Sequence, residues 1–140
     1  MATNTTIEAL STIGYFSGLS KKELAQIDRL MTPVEISAGK EIIKEGAAAR
    51  EAFIVVDGTA SVWRGGKLVA SVGTGAVIGE MALLAGVPRS ATVRAETDMT
   101  LEVLNRREFE QLLDENPGLS RKLLVATLKR FYELEPSLLG

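Results

Sequence analysis

Gly79-Glu80-Met81-Ala82-Leu83-Leu84-Ala85-Gly86-Val87-Pro88-Arg89-Ser90-Ala91-Thr92 reads as a very short helix closed at both ends. Gly79 opens it. Glu80 falls in the first turn, where a carboxylate meets the positive end of the helix dipole. Gly86 suits the left-handed C′ position and Pro88 forbids continuation. A strand is predicted to begin near Arg89. The N–H groups of Met81 and Ala82 at such an N-terminus attract anions. Arg89 adds a planar fork that stays charged and matches phosphate. Glu80 adds an acceptor for hydroxyls, and Ser90 a hydroxyl on the same strand. Donor cradle, cation and acceptor together describe a site for a sugar phosphate; the plainer alternative is a tight turn with a solvated arginine.

The block resembles the phosphate-binding cassette of the cyclic-nucleotide-binding domain family. That pattern runs Gly-Glu, two residues, Leu, and later Arg-Ser/Thr/Ala-Ala. Gly79, Glu80, Ala82, Leu83, Arg89, Ser90 and Ala91 carry it here. The resemblance implies a ligand set of Gly79, Glu80, Met81, Ala82, Arg89 and Ser90. Glu80 would accept the ribose 2′-hydroxyl, and Arg89 would face the phosphate. Ala82 would have to stay small beside the ligand. The implied ligand is cAMP, with cGMP possible, and no cofactor or metal is needed. In the family a threonine at the position of Ser90 often accompanies preference for cGMP.

Outward from the cassette, residues 33–104 break into short β-rich pieces. Val34-Glu35-Ile36 alternates, and Glu41-Ile42-Ile43-Lys44 lies between glycine signals. Phe53-Ile54-Val55-Val56 is an apolar run closed by Asp57-Gly58, which reads as a hairpin-like turn. Ser61-Val62-Trp63 and Leu68-Val69-Ala70 flank a turn at Gly65-Gly66, and two further pieces are joined through Thr97-Asp98. The glycines at 73, 75 and 79 are spaced wrongly for a dinucleotide fold, and Gly86 stops the helix too early for a crossover.

Residues 1–31 read helical. Ile7, Leu10 and Ile13 recur with helical spacing, and Ser20-Lys21-Lys22-Glu23 is a capping box. Leu24, Ile27, Leu30 and Met31 are then expected to form one apolar face. Residues 105–135 read as two helices, broken at Asn116-Pro117-Gly118. Leu124, Leu128 and Phe131 are expected to form the apolar stripe of the second, with Leu123 beside it. The expected architecture is α+β. A jelly-roll-like β-roll carries N-terminal helices, a short cassette helix and two C-terminal helices, all in one domain spanning 1–140.

The resemblance makes the last helix a lid over the ligand. Arg130 divides evenly between a purine contact and a solvated basic face with Arg121, Lys122 and Lys129. Tyr132 and Leu134 are the other base-capping candidates. A Thr-Ser pair that touches the base in some bacterial members is replaced here by Leu134-Glu135 and Pro136. Base selectivity and helix-mediated dimerisation are therefore left open.

Composition narrows the chemistry. The chain has 140 residues, enough for one core. With no histidine and no cysteine it lacks the commonest general base, metal ligands and thiol nucleophile. An enzyme is therefore not expected. A net charge of −2 provides no general field for nucleic acid. The N-terminus has no basic, apolar signal pattern, and no apolar run reaches the ~18 residues of a membrane span. The expectation is a non-catalytic cytoplasmic sensor acting on a separate effector protein, either as a natural small protein or as an excised domain. The competing classes are a degenerate interaction module that binds no nucleotide and a β-roll enzyme.

Overall fold

The protein is described from a computed structural model covering Phe16 and residues 18–134, apart from the side chains of Met81 and residues 130–134. The helix expected within residues 1–13 lies outside the described residues. Two compact units are distinguished: Leu30–Glu108, and Met1–Arg29 together with Phe109–Gly140.

The first unit is built of antiparallel strands. These are β1 (Met31–Ile36), β2 (Glu41–Ile43), β3 (Glu51–Asp57), β4 (Ala60–Arg64), β5 (Lys67–Val72), β6 (Val77–Ile78), β7 (Thr92–Ala95) and β8 (Met99–Asn105). One sheet has the order β1-β8-β3-β6 and the other β2-β7-β4-β5. Their inner faces share a core of Ile43, Phe53, Val55, Ala60, Ile78, Val93, Ala95, Met99 and Leu101. The run Ala52-Phe53-Ile54-Val55 is buried throughout, as befits an interior strand covered on both faces. Pro33 cannot donate to a ladder and sits in β1, an edge strand. The architecture is the expected α+β roll.

Two local expectations are corrected. Asp57-Gly58 does not close a hairpin, because β3 and β4 belong to different sheets. Gly58 has φ +100 and packs against the second crossing between the sheets; an added Cβ would lie 2.6 Å from the Asp98 carbonyl. Thr59 N–H donates to Thr97 Oγ1 (3.0 Å), and Glu96 N–H to the Thr59 carbonyl (2.9 Å). The two corners are thus bonded to each other, which a turn motif cannot reveal. The strand after the cassette begins at Thr92, not near Arg89. Gly65-Gly66 does close a hairpin, with Arg64 opposite Lys67.

Helices α1 (Lys21–Leu30), α2 (Glu80–Ala85), α3 (Arg106–Glu115) and α4 (Pro117–Leu134) complete the described elements. The capping box at α1 is reciprocal: Glu23 N–H donates to Ser20 Oγ (3.2 Å) and Ser20 N–H to Glu23 Oε1 (2.8 Å). Met31 belongs to β1, opposite Leu104, rather than to the apolar face of α1. Pro117 forces the break after α3, since the residue before proline avoids helical geometry. Asn116 Nδ2 then donates to the Leu112 carbonyl and Ser120 Oγ to the Leu113 carbonyl, covering the end of α3.

The buried stripe of α4 is Leu119 and Leu123, while Leu124 and Leu128 are exposed at 58% and 53%. The periodicity was the same for both stripes, and the packing partner decides between them. Phe131 falls outside the described side chains. Among the described residues no helix is long and apolar enough to cross a membrane.

Within this helical unit Lys122 Nζ lies 2.6 Å from Glu23 Oε1. Burial works to raise the Glu23 pKa. Bonds from Lys122 and Ser20, with the Lys122 charge, outweigh it and hold the carboxyl below its ordinary range. A lowered folded pKa gives stability that is present above the unfolded value and lost as pH falls through the folded one. Glu23→Gln is expected to cost about 1 kcal/mol at neutral pH. The melting temperatures of parent and variant should converge in acid. A gap that persists undiminished in strong acid rules out this ionic contribution.

Candidate functional site

Helix α2 has only six residues and is bounded by two left-handed glycines. Gly79, at φ 79° and ψ 6°, turns the chain out of β6 into the helix. The first helical rung is Leu83 N–H to the Gly79 carbonyl (3.3 Å), so the amides of Met81 and Ala82 precede any i−4 partner. Gly86, at φ 69°, ends the helix and donates to the Ala82 carbonyl (2.9 Å).

Arg89 returns to the entry of this helix, where it bonds the Gly79 carbonyl. Its backbone is clamped to the loop after β2: Gly46 N–H donates to the Arg89 carbonyl (2.8 Å), and Arg89 N–H to the Ala47 carbonyl (2.9 Å). Its side chain is only 7% exposed. One terminal nitrogen donates to the Gly79 carbonyl (2.8 Å) and the other to the Glu51 carbonyl. Of the five guanidinium donors, Nε–H and one hydrogen on each terminal nitrogen are not used by these bonds. Burial lowers the Arg89 pKa, while the charges of Glu51 and Glu80 counter that. The guanidinium therefore ties the start of β3, the entry to α2 and the cassette strand together.

Gly79 is demanded twice by this arrangement. Its φ lies in the left-handed region, and an added Cβ would collide with the Arg89 guanidinium and approach Ile43 Cδ1 to 3.0 Å.

Gly79, Glu80, Ala82, Arg89 and Ser90 line one cavity of about 210 Å³, together with Ile43, Val62, Arg64, Ile78, Ala91 and Val93. Glu80 is 7% exposed. The lining thus combines charged and polar groups with aliphatic ones. Its volume lies below the roughly 300–1,000 Å³ of sites that enclose a drug-sized ligand. A sugar phosphate suits a pocket of this size better than a whole nucleotide does. Of the predicted residues, Met81 contributes its backbone at the head of α2. Arg130, Tyr132 and Leu134 lie in α4, and their side chains are outside the description.

Sequence reading missed Arg64 and Val62. Both follow from strand alternation: two residues apart on β4, they share the inward face. Trp63, between them, turns to the other face of the strand and is half-buried. Its Nε1–H donates to Ser61 Oγ (2.8 Å), and the Arg94 guanidinium lies over its ring at 5.6 Å.

The profile of the family described as Cyclic nucleotide-binding domain matches residues 33–116. Over 114 residues the chain is 32% identical to the cGMP-dependent protein kinase egl-4 of Caenorhabditis elegans, covering 81% of this chain and 14% of that protein. The chain therefore spans about a seventh of this relative. It superposes on the regulatory subunit of a cAMP-independent protein kinase A from Trypanosoma brucei with a TM-score of 0.76. That match has 30% identity and covers 92% of this chain and 45% of the other. The regulatory domain of Toxoplasma gondii PKA, solved with cAMP, gives a TM-score of 0.72 at 29% identity, with coverage of 80% and 46%. With the family profile spanning more than half of its length, the chain belongs to the cyclic-nucleotide-binding domain family.

Proposed function

We propose that this protein is a non-catalytic sensor of cAMP, working in the cytoplasm on a separate effector protein. The single observation that carries the reading is the buried pairing of opposite charges in one cavity. Glu80 and Arg89, each 7% exposed, line it beneath the amides that begin α2. In this reading the Met81 and Ala82 amides and Arg89 hold the cyclic phosphate, Glu80 accepts the ribose 2′-hydroxyl, and Ser90 adds a hydroxyl. The small cavity supports a further step, in which the C-terminal helices move to cover the purine. A ligand drives such a step only by binding one arrangement more tightly than the other.

Selectivity is expected to be modest. One neutral hydrogen bond gained or lost is worth about 0.5–1.5 kcal/mol, so preference for cAMP over cGMP should be on the order of tenfold. Calorimetric titration of the parent and of Ser90→Thr with both nucleotides tests the reading. At ligand 100-fold above its dissociation constant, linkage predicts about 2.7 kcal/mol of stabilisation, visible as a raised melting temperature. Ser90→Thr should move the ratio toward cGMP; an unmoved ratio removes Ser90 as a discriminator. An unchanged melting curve with either nucleotide at millimolar concentration overturns the sensor reading. It would favour an interaction module that keeps the fold without the ligand.

A further inference from the structure

We propose that Arg64 is a second cation of the nucleotide pocket, holding the outer face of the bound phosphate; the inference rests on the nucleotide reading of that cavity. Three observations carry it. Arg64 shares the inward face of β4 with Val62, and both line the cavity that contains Glu80, Arg89 and Ser90. Its Nε–H donates to the carbonyl of Ser90 (3.2 Å), which holds the side chain against the residue that follows Arg89. That bond uses Nε alone and leaves the terminal fork, the part of arginine that matches a phosphate bidentately, for a ligand.

Local charge balance explains why a second cation is needed. Arg89 is buried, already donates to two carbonyls, and lies near both Glu51 and Glu80. Two carboxylates against one guanidinium leave that cluster net negative, which opposes a phosphodiester monoanion. Glu51 stands behind Arg89 and does not line the cavity, so with Arg64 the lining itself (Glu80, Arg89 and Arg64) carries a net positive charge, to which the amides at the head of α2 add. The two arginines divide the work. Arg89 is an inner cation already tied to two backbone carbonyls, and Arg64 is an exposed one that meets the ligand from the solvent side.

The experiment is titration of the full chain with cAMP and cGMP, using the parent, Arg64→Gln, Arg64→Lys and Lys67→Gln. Loss of a hydrogen bond to a charged group predicts roughly tenfold weaker binding for Arg64→Gln. Its affinity should also depend less on salt between roughly 50 and 200 mM, where exposed charges are progressively screened. Arg64→Lys should restore the salt dependence and part of the affinity. Lys67 stands opposite Arg64 across the hairpin but does not line the cavity, so Lys67→Gln should bind within about twofold of the parent. A merely structural role for Arg64, through the Ser90 carbonyl, would not give a salt signature or rescue by lysine. An Arg64→Gln variant with the parent's affinity and salt dependence overturns the proposal while leaving the nucleotide reading intact. A parent that binds neither nucleotide overturns both.

Discussion

Arg89→Ala loses cyclic-nucleotide binding and a measurable share of the stability of the β-roll. Both losses come from one guanidinium. Truncation takes the guanidinium donor from the Glu51 carbonyl, leaves the Gly79 carbonyl only the long bond from Leu83 (3.3 Å), and opens a void where the side chain was buried. A buried polar group stripped of its partner costs about 1–3 kcal/mol. The carboxylates of Glu51 and Glu80 lose their nearby cation as well. For a chain of this size each 1 kcal/mol is worth roughly 2–4 °C, so melting should fall by about 5–10 °C. Binding should fall by about 2–5 kcal/mol, the usual range when one side of a buried charge pair is removed. Because the fold is weakened, affinity must be measured where circular dichroism shows the variant folded. Arg89→Lys should recover part of the stability, since a single ammonium reaches one carbonyl more readily than two, and little of the affinity. Unchanged melting in Arg89→Ala would remove the clamp from the account. Unchanged affinity would move the phosphate site elsewhere.

Gly79→Ala is expected to be nearly as damaging, by a different route. A non-glycine residue in the left-handed region costs about 1–3 kcal/mol. The added methyl also pushes the Arg89 guanidinium off the Gly79 carbonyl and presses on Ile43. Gly75 separates the two effects. Its φ is +89, close to the +79 of Gly79, but an added Cβ meets nothing within 4 Å. Gly75→Ala should therefore show the backbone cost alone, with melting lowered by a few degrees and affinity retained. Gly79→Ala should melt lower still and bind at least tenfold more weakly, because a displaced guanidinium loses a charge-assisted bond of about 1.5–3 kcal/mol. Equal behaviour of the two variants in both assays would mean that the close approach to Arg89 is not what makes Gly79 necessary.

Much of this was legible without coordinates, because short-range rules dictated it. The capping box at Ser20-Glu23 needed only neighbours three residues apart, and it forms as read. Gly86 and Pro88 had to end α2, and Pro117 had to break the C-terminal helices, because each acts on its own backbone. The alternation of β1 and the Gly65-Gly66 hairpin were local in the same sense. The cassette was legible because a tight loop, a helix start and a charge lie within fourteen consecutive residues.

What the tertiary structure alone decided involves residues distant in sequence. Asp57-Gly58 has the chemistry of a hairpin turn, yet the chain crosses there to the other sheet, since Thr59 and Thr97, 38 residues apart, bond corner to corner. Helix α4 offers two apolar stripes of equal spacing, and only packing selects Leu119 and Leu123 over Leu124 and Leu128. Arg89 read as a cation at the mouth of a cradle. The fold buries it, because the carbonyl of Glu51 arrives from 38 positions away to meet it. Arg64 stands next to the Gly65-Gly66 turn in sequence, and the pairing of β4 with β7 brings that end of β4 to the cavity wall. Local backbone preferences act over a few residues and are written in the order of the amino acids. Burial and charge balance are set by whatever long-range pairing brings together, and sequence order carries no direct record of that.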